Sequence, residues 1–450
     1  MNVKRVLLGL TALLIGGGVM AGYELTPKVH AGMPGEAPEL GRAGQYPIGT
    51  AVAPMTLPGR AEVTALSAIS GHATPESRTL SIRYWYPAAA GVPAAASQAA
   101  PVRYDHVMHF PGHPPFAVAS TGSAVPAAPP AAGKFPLVVM SHGYGGWNTQ
   151  FSNLAEHIAS RGYVVAAIDH GDMAADSVAS FILSFANVMV DRTLDQRQVL
   201  AQLAADAKAR KTPWLAAADL NAIGLIGYSM GSYGALATAG AAYRLDAGPL
   251  AKLPAAAQES LRRAAAQPVP VKSLIVFAPW GGQPDSRAWN AAGMAGIKVP
   301  TLMVAGSQDD VVDYKNGVNW LFQNMTGAER YLLVYREARH NIVGNTFELS
   351  GKDPFMAAEF LKEPVWRSDR LNAINQHFVT AFLDLTLKGD RAKRAYLDVP
   401  TADADAGEWP TSLGEQLNGT TAGPEQGKYW RGFQRRWATG LELHKAGANK

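Results

Sequence analysis

The chain has 450 residues, of which 48% are hydrophobic and 17% charged, so it has ample apolar material for a large core and is not a wholly disordered chain. The net charge of +4 is too weak to indicate a nucleic-acid partner. The absence of cysteine excludes disulfides, thiolate metal sites and a cysteine nucleophile, and it suits an exported protein, in which stray thiols can mispair.

The N-terminus has the features of a secretory signal. Lys4 and Arg5 precede an uncharged, largely apolar stretch over residues 6–22, and Val19-Met20-Ala21 supplies the small or modest residues that a signal peptidase reads. We therefore expect residues 1–22 to direct export to the periplasm or the medium and to be cleaved. An uncleaved membrane anchor is the alternative, although the apolar stretch is short for a full span.

The remaining chain is predicted to contain one large domain. A leader rich in Gly and Pro covers 23–58, and a single α/β domain is expected over 59–450. Within that domain we expect three insertions and a C-terminal extension, at 88–133, 171–190, 242–270 and 389–450.

From residue 80 onward, short apolar strands alternate with helical patterns. The residues at 80–86 alternate as in a half-exposed strand, and continuous apolar runs of buried strands occur at 135–140, 163–168, 222–226, 274–277, 301–305 and 331–334. Helices are expected near 149–161, 190–209, 231–241, 315–324 and 366–388. This order predicts an α/β fold with a mostly parallel central sheet, helices on both faces and ligands at the carboxyl ends of the strands.

The pentapeptide Gly227-Tyr228-Ser229-Met230-Gly231 is the strongest chemical signal. It follows an apolar strand pattern and opens a helical one, so Ser229 is expected on a sharp strand-to-helix turn with an exposed hydroxyl. The flanking glycines allow close backbone approach. We predict that Ser229 is a nucleophile; a tight structural turn with a buried serine is the alternative.

A serine nucleophile needs an orienting acid, which follows it along the chain in this architecture. Asp309 comes first in the loop after the predicted strand 301–305 and is the predicted acid. Asp310 and Asp313 are its competitors, although both are better placed to cap the following helix.

The base that accepts the serine proton is expected in the loop after the next predicted strand, 331–334. His340 occupies that loop and is the predicted base. The other histidines after Ser229 are interpreted as structural, because His377 lies inside the helix 366–388 and His444 lies in the C-terminal tail.

The oxyanion of a tetrahedral intermediate needs backbone N–H donors. We predict one from Met230, which follows the nucleophile, and one from Tyr144 in the Gly-rich loop after the strand 135–140. His142 in that loop is a candidate substrate-binding residue, with a hydrogen-bonding strut beneath the site as the favoured alternative.

Residues 79–388 resemble the α/β-hydrolase superfamily, in particular its platelet-activating-factor acetylhydrolase-like and dienelactone-hydrolase-like serine esterases. The resemblance is carried by the Ser229 elbow and by the segments 83–87, 135–143, 161–170 and 338–341. It implies an α/β-hydrolase fold with inserted cap or loop segments and a Ser229–Asp309–His340 triad. Arg192 and Asp195 match a recurring pair in the helix before the elbow strand, which we interpret as structural.

Two departures limit what the resemblance implies. Dienelactone hydrolases use a cysteine nucleophile, which this chain lacks, so their substrate is not carried over. Tyr144 with Met230 also resembles the oxyanion pair of cutinase-like polyester hydrolases, but 88–133 and 171–190 depart from those open-cleft enzymes.

Several weaker signals remain, and most of them allow a purely structural interpretation. A cluster of His106, His109 and His113 is interpreted as a pocket wall, and no metal is predicted there. The apolar stretch 181–189 is either a cap over the site or a helix packed into the body. Trp280 is predicted to contact substrate. The basic, aromatic tail 430–437 is interpreted as a packed terminus, with membrane contact as its alternative.

The sequence thus predicts an exported serine hydrolase that cleaves carboxylic esters through an acyl-enzyme and needs no cofactor. Its expected partners are a small-molecule or lipid-like ester and, peripherally or through the N-terminus, a membrane. Amide, peptide or polyester hydrolysis by the same triad is the alternative, followed by a binding protein on a hydrolase fold.

Overall fold

The computed structural model describes residues 36–61, 75–92, 102–109, 113–172, 177–350, 354–420 and 422–449. The predicted signal over 1–22 lies outside these residues. Within the ranges described, no helix has both the length and the apolar character that crossing a bilayer requires.

The strands and helices are numbered in chain order. The strands are β1 Ile48–Ala61, β2 Pro75–Pro87, β3 Val102–Met108, β4 Phe116–Gly122, β5 Val125–Pro126, β6 Phe135–Ser141, β7 Val164–Asp169, β8 Ala218–Tyr228, β9 Val271–Phe277, β10 Thr301–Gly306, β11 Arg330–Tyr335, β12 Glu348–Ser350 and β13 Leu441–Ala446. The α-helices are α1 Ser152–Ser160, α2 Val178–Lys208, α3 Pro213–Ala216, α4 Met230–Thr238, α5 Ala255–Ala265, α6 Ala291–Met294, α7 Asn319–Asn324, α8 Pro354–Leu361, α9 Ser368–Leu387 and α10 Leu413–Leu417.

The core of the fold is a ten-stranded sheet in the order β13-β11-β10-β9-β8-β6-β7-β2-β1-β5. The strands from β11 to β7 run parallel to one another, whereas β13, β2 and β1 each pair antiparallel with a neighbour. Every residue of β6, β10 and β11 is buried. Continuous apolar runs are expected for strands that are covered on both faces.

Helices cover both faces of this sheet, as one strand shows directly. A side-chain carbon on Gly224 of β8 would lie 3.1 Å from Leu387 of α9, whereas one on Gly227 would meet the backbone of Gly231 in α4. Residues three apart in a strand point to opposite faces, so α9 and α4 lie on opposite sides of the sheet. The predicted α/β-hydrolase fold is therefore confirmed.

The sheet extends further at both edges than the sequence predicted. Residues 48–58, expected in a loose leader, belong to β1 and pair with β2 from Ile48 to Ala61. The domain boundary expected at residue 59 is therefore wrong, because part of the sheet precedes it. At the other edge, the C-terminal extension returns as β13 and pairs with β11.

The described residues of the predicted insertion over 88–133, which are 88–92, 102–109 and 113–133, fold against the body. Its strands β3 and β4 pair antiparallel, and β12 adds to β4 as a third strand. The buried carboxylate of Glu156 in α1 accepts hydrogen bonds from Tyr104 Oη at 2.6 Å and from the backbone N–H of Ser123 at 2.6 Å. These bonds fix the insertion to the core because an unpaired carboxylate would be costly there.

The segments 171–190 and 242–270 also have defined structures in the described residues. Most of 171–190 is not a separate insertion, because α2 begins at Val178 and continues without a break to Lys208. The stretch 242–270 holds a 3₁₀ turn at Pro249–Lys252 and the helix α5.

Two buried histidines lie on α1 and α9, and one of them binds the start of the described chain. His157 of α1 shares a hydrogen bond of 2.8 Å with Thr380 Oγ1 of α9, and His377 of α9 accepts the Leu40 N–H at 3.1 Å. Burial, with the nearby Arg161 as the second cause, lowers the pKa of each imidazole to about 3. Both histidines are therefore neutral in the folded protein at neutral pH.

Acid should destabilise the fold through these two side chains. An unfolded histidine has a pKa of about 6.5, so between pH 6.5 and 3 the unfolded state binds more protons and stability falls as the pH falls. At pH 4.5 each histidine should lower the free energy of unfolding by about 3 kcal/mol relative to pH 7.5. Urea unfolding at several pH values measures this loss.

The matched variants are His157→Gln with His377→Asn, and His444→Gln on the edge strand β13, where the side chain is partly exposed, as the control for losing a histidine. The double variant should have a shallower fall in stability between pH 7.5 and 4.5, and the control should not. An equally steep fall in the double variant would contradict the assignment.

Candidate active site

Ser229 lies on a strained turn between β8 and α4. Its φ of 51° and ψ of −115° are unusual for a residue with a side chain. The turn is possible because glycines lie two residues before and two residues after Ser229: a Cβ on Gly231 would lie 2.1 Å from Ser141 O, and one on Gly227 would lie 2.5 Å from Gly231 O. The Ser229 N–H donates to Phe277 O at 2.9 Å, which ties the turn to β9.

The three residues predicted as a triad lie in one hydrogen-bonded chain. His340 Nε2 is 3.1 Å from Ser229 Oγ, and His340 Nδ1 is 2.8 Å from Asp309 Oδ2. The other oxygen of Asp309 accepts the N–H groups of Val311 at 3.0 Å and Val312 at 3.1 Å. The Asp309 side chain is fully buried, so its remaining hydrogen-bonding capacity is used within the protein.

The competing residues have other partners. Asp310 forms an exposed ion pair with Arg339 at 2.7 Å, and Asp313 accepts the Asn316 N–H at the start of the π-helical turn Tyr314–Val318. His377 lies in α9, and His444 on β13 bonds Glu442 at 2.9 Å. None of these four side chains contacts Ser229 in the hydrogen bonds of the described residues.

Tyr228 packs beside the base. Its ring centroid is 5.1 Å from that of His340, and its hydroxyl donates to Asn341 Oδ1 at 3.3 Å. Burial, reinforced by the charge of Asp309, raises the pKa of Tyr228, so the hydroxyl keeps its proton at neutral pH. An uncharged tyrosine adds no charge that would compete with Asp309 for the imidazole.

The loop after β6 comes close to the nucleophile. A Cβ built on Gly143 would be 3.2 Å from Ser229 Cβ, so the loop and the elbow nearly touch. Tyr144 from this loop and Met230 from the elbow both line the cleft above Ser229. The two residues predicted to supply the oxyanion donors therefore lie in the same cleft as the serine hydroxyl.

Ser229 and His340 open into a cleft with a volume of about 690 Å³. One wall is aromatic: the Phe185 ring lies 5.4 Å from that of Trp280 and 5.7 Å from that of Tyr144. The cleft surface is more apolar than polar, and its polar residues include Asp310, Arg339, Glu359 and Lys362. Such a cleft favours an apolar substrate with a polar end.

Trp280 lies where a substrate-contacting residue was expected, but His142 does not. His142 is buried beneath the loop and is absent from the cleft lining. Its Nδ1 donates to Gly143 O at 2.7 Å, and its Nε2 accepts the His170 N–H at 3.0 Å. This position fits a residue that supports the loop from beneath through hydrogen bonds, rather than one that contacts substrate.

The apolar stretch 181–189 combines the two roles that the sequence left open. Phe185 lines the cleft and Phe181 is exposed beside it, whereas Val188 and Met189 are buried in the body. The stretch is therefore a cleft wall made from the first turns of a packed helix.

One wall of the cleft was not predicted. Helix α8 contributes Phe355 and Phe360, and the turn after it contributes Glu363 and Pro364. The only signal in the sequence was a short apolar run behind Pro354, which is too brief to show a period.

The histidine cluster and the aromatic tail lie apart from the triad. His106 stacks on Trp147 with ring centroids 4.2 Å apart, and the described residues hold no group of histidines and carboxylates that could bind a metal ion. Trp430 is fully buried and Phe433 nearly so, as in a packed terminus.

Comparison with known proteins supports the same family. A family model for platelet-activating factor acetylhydrolase, isoform II, matches residues 118–206. Platelet-activating factor acetylhydrolase from Bos taurus is 42% identical over 48 residues, and that from Canis lupus familiaris is 44% identical over 48 residues. Each alignment covers 11% of this chain and only 11% of the relative's own length.

The family match runs from β4 into α2, so it includes the loop with Tyr144 and ends before Ser229. Together with the sheet order, these comparisons confirm the resemblance predicted from the sequence: over residues 118–206 the chain is similar to the platelet-activating factor acetylhydrolase family, and its central sheet is that of an α/β-hydrolase.

Proposed function

We propose that this protein is a serine hydrolase that cleaves carboxylic esters through an acyl-enzyme on Ser229. The observation that carries the proposal is the unbroken chain from Asp309 through His340 to Ser229, which ends in an apolar cleft. A hydroxyl next to a carboxylate-oriented imidazole is the arrangement needed for nucleophilic attack.

In the proposed reaction, His340 takes the Ser229 proton as Oγ attacks the ester carbonyl. Asp309 fixes the imidazole orientation and stabilises its charged form, while the N–H groups of Met230 and Tyr144 bind the oxyanion. His340 then protonates the leaving alcohol. Water attacks the acyl-enzyme by the same route, and the acid is released.

We propose a small-molecule or lipid-like ester as the substrate. The aromatic wall would hold an apolar acyl or alkyl group, and the charged residues near the cleft mouth would face the polar part. The relatives are named as acetylhydrolases of platelet-activating factor, which is consistent with an ester of this type. Amide or polyester hydrolysis would use the same residues, so a substrate panel must include both.

Export is also part of the proposal. It is supported by Lys4 and Arg5 ahead of the apolar stretch 6–22 and by the absence of cysteine. Peripheral or N-terminal association with a membrane is proposed on the same segment. Sequencing the N-terminus of the mature protein distinguishes a cleaved signal from a retained anchor.

Ser229→Ala should abolish ester hydrolysis, because it removes the only atom that forms the acyl-enzyme. We expect kcat/KM for p-nitrophenyl butyrate to fall by at least about 10³-fold, with loss of fluorophosphonate labelling. Ser232→Ala is the matched control, since Ser232 is buried in the same helix and donates to Phe277 O. Full labelling of Ser229→Ala would disprove the proposed nucleophile.

Asp309→Asn should lower kcat by about 10³- to 10⁴-fold, because the amide no longer stabilises the imidazolium or its correct tautomer. Asp310→Asn and Asp313→Asn should each stay within a few-fold of the wild-type kcat. Steady-state kinetics of the three variants measure this difference. A larger loss of kcat in either control than in Asp309→Asn would show that Asp309 is not the acid of the triad.

Trp280→Ala should move the chain-length preference toward longer acyl groups, because it removes one aromatic side of the cleft. A series of p-nitrophenyl esters from acetate to dodecanoate measures the shift as relative kcat/KM, and Trp409→Ala, outside the cleft, is the control. An unchanged preference would show that Trp280 does not bound the acyl site.

A further inference from the structure

The carbonyl of Gly143 is held from below the loop that follows β6. It accepts hydrogen bonds from Arg192 Nη2 at 2.8 Å and from His142 Nδ1 at 2.7 Å. Arg192 belongs to α2 and is fully buried. A guanidinium has donor groups only, so this contact draws the carbonyl oxygen toward Arg192.

The orientation of this carbonyl fixes that of the next N–H. Gly143 C=O and Tyr144 N–H belong to the same planar peptide unit, which is trans, so the two groups point in opposite directions. A carbonyl held toward Arg192 therefore turns the Tyr144 N–H away from Arg192, which is buried and does not line the cleft that Tyr144 shares with Ser229.

The peptide unit on the other side of Tyr144 is fixed by the ion-pair partner of Arg192. Asp172 accepts the Gly145 N–H at 2.9 Å and binds Arg192 at 2.6 and 2.5 Å. Burial alone would raise the pKa of this carboxyl, but the guanidinium lowers it below its usual range, so Asp172 is ionised. One buried ion pair thus holds both peptide units that flank Tyr144.

We propose that Arg192 and Asp172 are positioning residues for the oxyanion hole. Neither side chain lines the cleft. They act through the backbone, by holding the Tyr144 N–H in the direction that a developing oxyanion needs. This inference rests on the proposed function, and it gives Arg192 a role beyond the structural one expected from the sequence.

Arg192→Met should lower kcat per active site by about 10- to 100-fold. An oxyanion donor that points in the wrong direction should cause part of the loss in rate that a missing donor causes. KM for p-nitrophenyl butyrate should stay within about threefold. Active sites are counted by fluorophosphonate titration, so that misfolded protein does not enter kcat.

A second readout separates positioning from folding. An alkyl trifluoromethyl ketone forms a tetrahedral adduct whose oxyanion occupies the same hole, so its inhibition constant should rise in proportion to the fall in kcat/KM. Loss of structure elsewhere would lower the number of active sites that can be titrated, but it would leave the inhibition constant and kcat/KM of the remaining sites unchanged.

Arg197→Met is the matched control. Arg197 lies five residues later in α2 and also donates to backbone carbonyls, those of Gln267 at 2.6 Å and Ala237 at 3.1 Å, away from the cleft. It should retain the wild-type kcat and inhibition constant. An equal loss in Arg197→Met would show that any disturbance of α2 has the same effect, and it would overturn the inference.

If Arg192→Met leaves Asp172 unpaired and fails to fold, the double variant Arg192→Met with Asp172→Asn removes both charges and keeps a neutral acceptor for Gly145. The inference predicts a similar loss of kcat in this variant and a partial recovery in Arg192→Lys. Wild-type kcat in the double variant would overturn it. Hydrolysis that persists in Ser229→Ala would instead overturn the proposed function.

Discussion

The site depends on the close contact between the turn at Ser229 and the loop after β6. Gly231 leaves no room for a Cβ, which would lie 2.1 Å from Ser141 O, and a Cβ on Gly143 would lie 3.2 Å from Ser229 Cβ. The strained backbone of Ser229 is stable only because this contact and the bond to Phe277 hold it. The nucleophile, the loop donors and the base therefore share one edge of the sheet, and a larger residue at either glycine would separate them.

The family comparison and the triad geometry support the function from different parts of the chain. The family model covers 118–206, which contains the loop with Tyr144, Asp172 and Arg192, whereas Ser229, Asp309 and His340 all lie beyond it. Two separate sets of residues thus support the proposed function. Substrate identity depends on the cleft walls, of which Tyr144, Gln150 and Phe185 lie in the matched region and Trp280 and α8 lie outside it.

The parallel strands and the order of the site residues were predictable, because continuous apolar runs and the turn at Ser229 are local signals. β1 was missed because Pro54, Pro58 and Gly49 resemble a loop; prolines are tolerated there because the strand lies near the sheet edge. α8 and the ion pair of Arg192 with Asp172 were missed for another reason. Their roles depend on contacts between residues far apart in the chain, which no periodicity records.

Helix α2 connects the aromatic wall of the cleft to the loop after β6, because one continuous helix carries residues that contact both. Phe185 faces the cleft from its second turn, and Arg192 holds Gly143 two turns later. Each residue inserted between them would rotate one side chain by about 100° relative to the other. In evolution, this part of the cleft wall must therefore change by substitution, or by insertions or deletions of about seven residues, which restore the relative orientation of the two side chains.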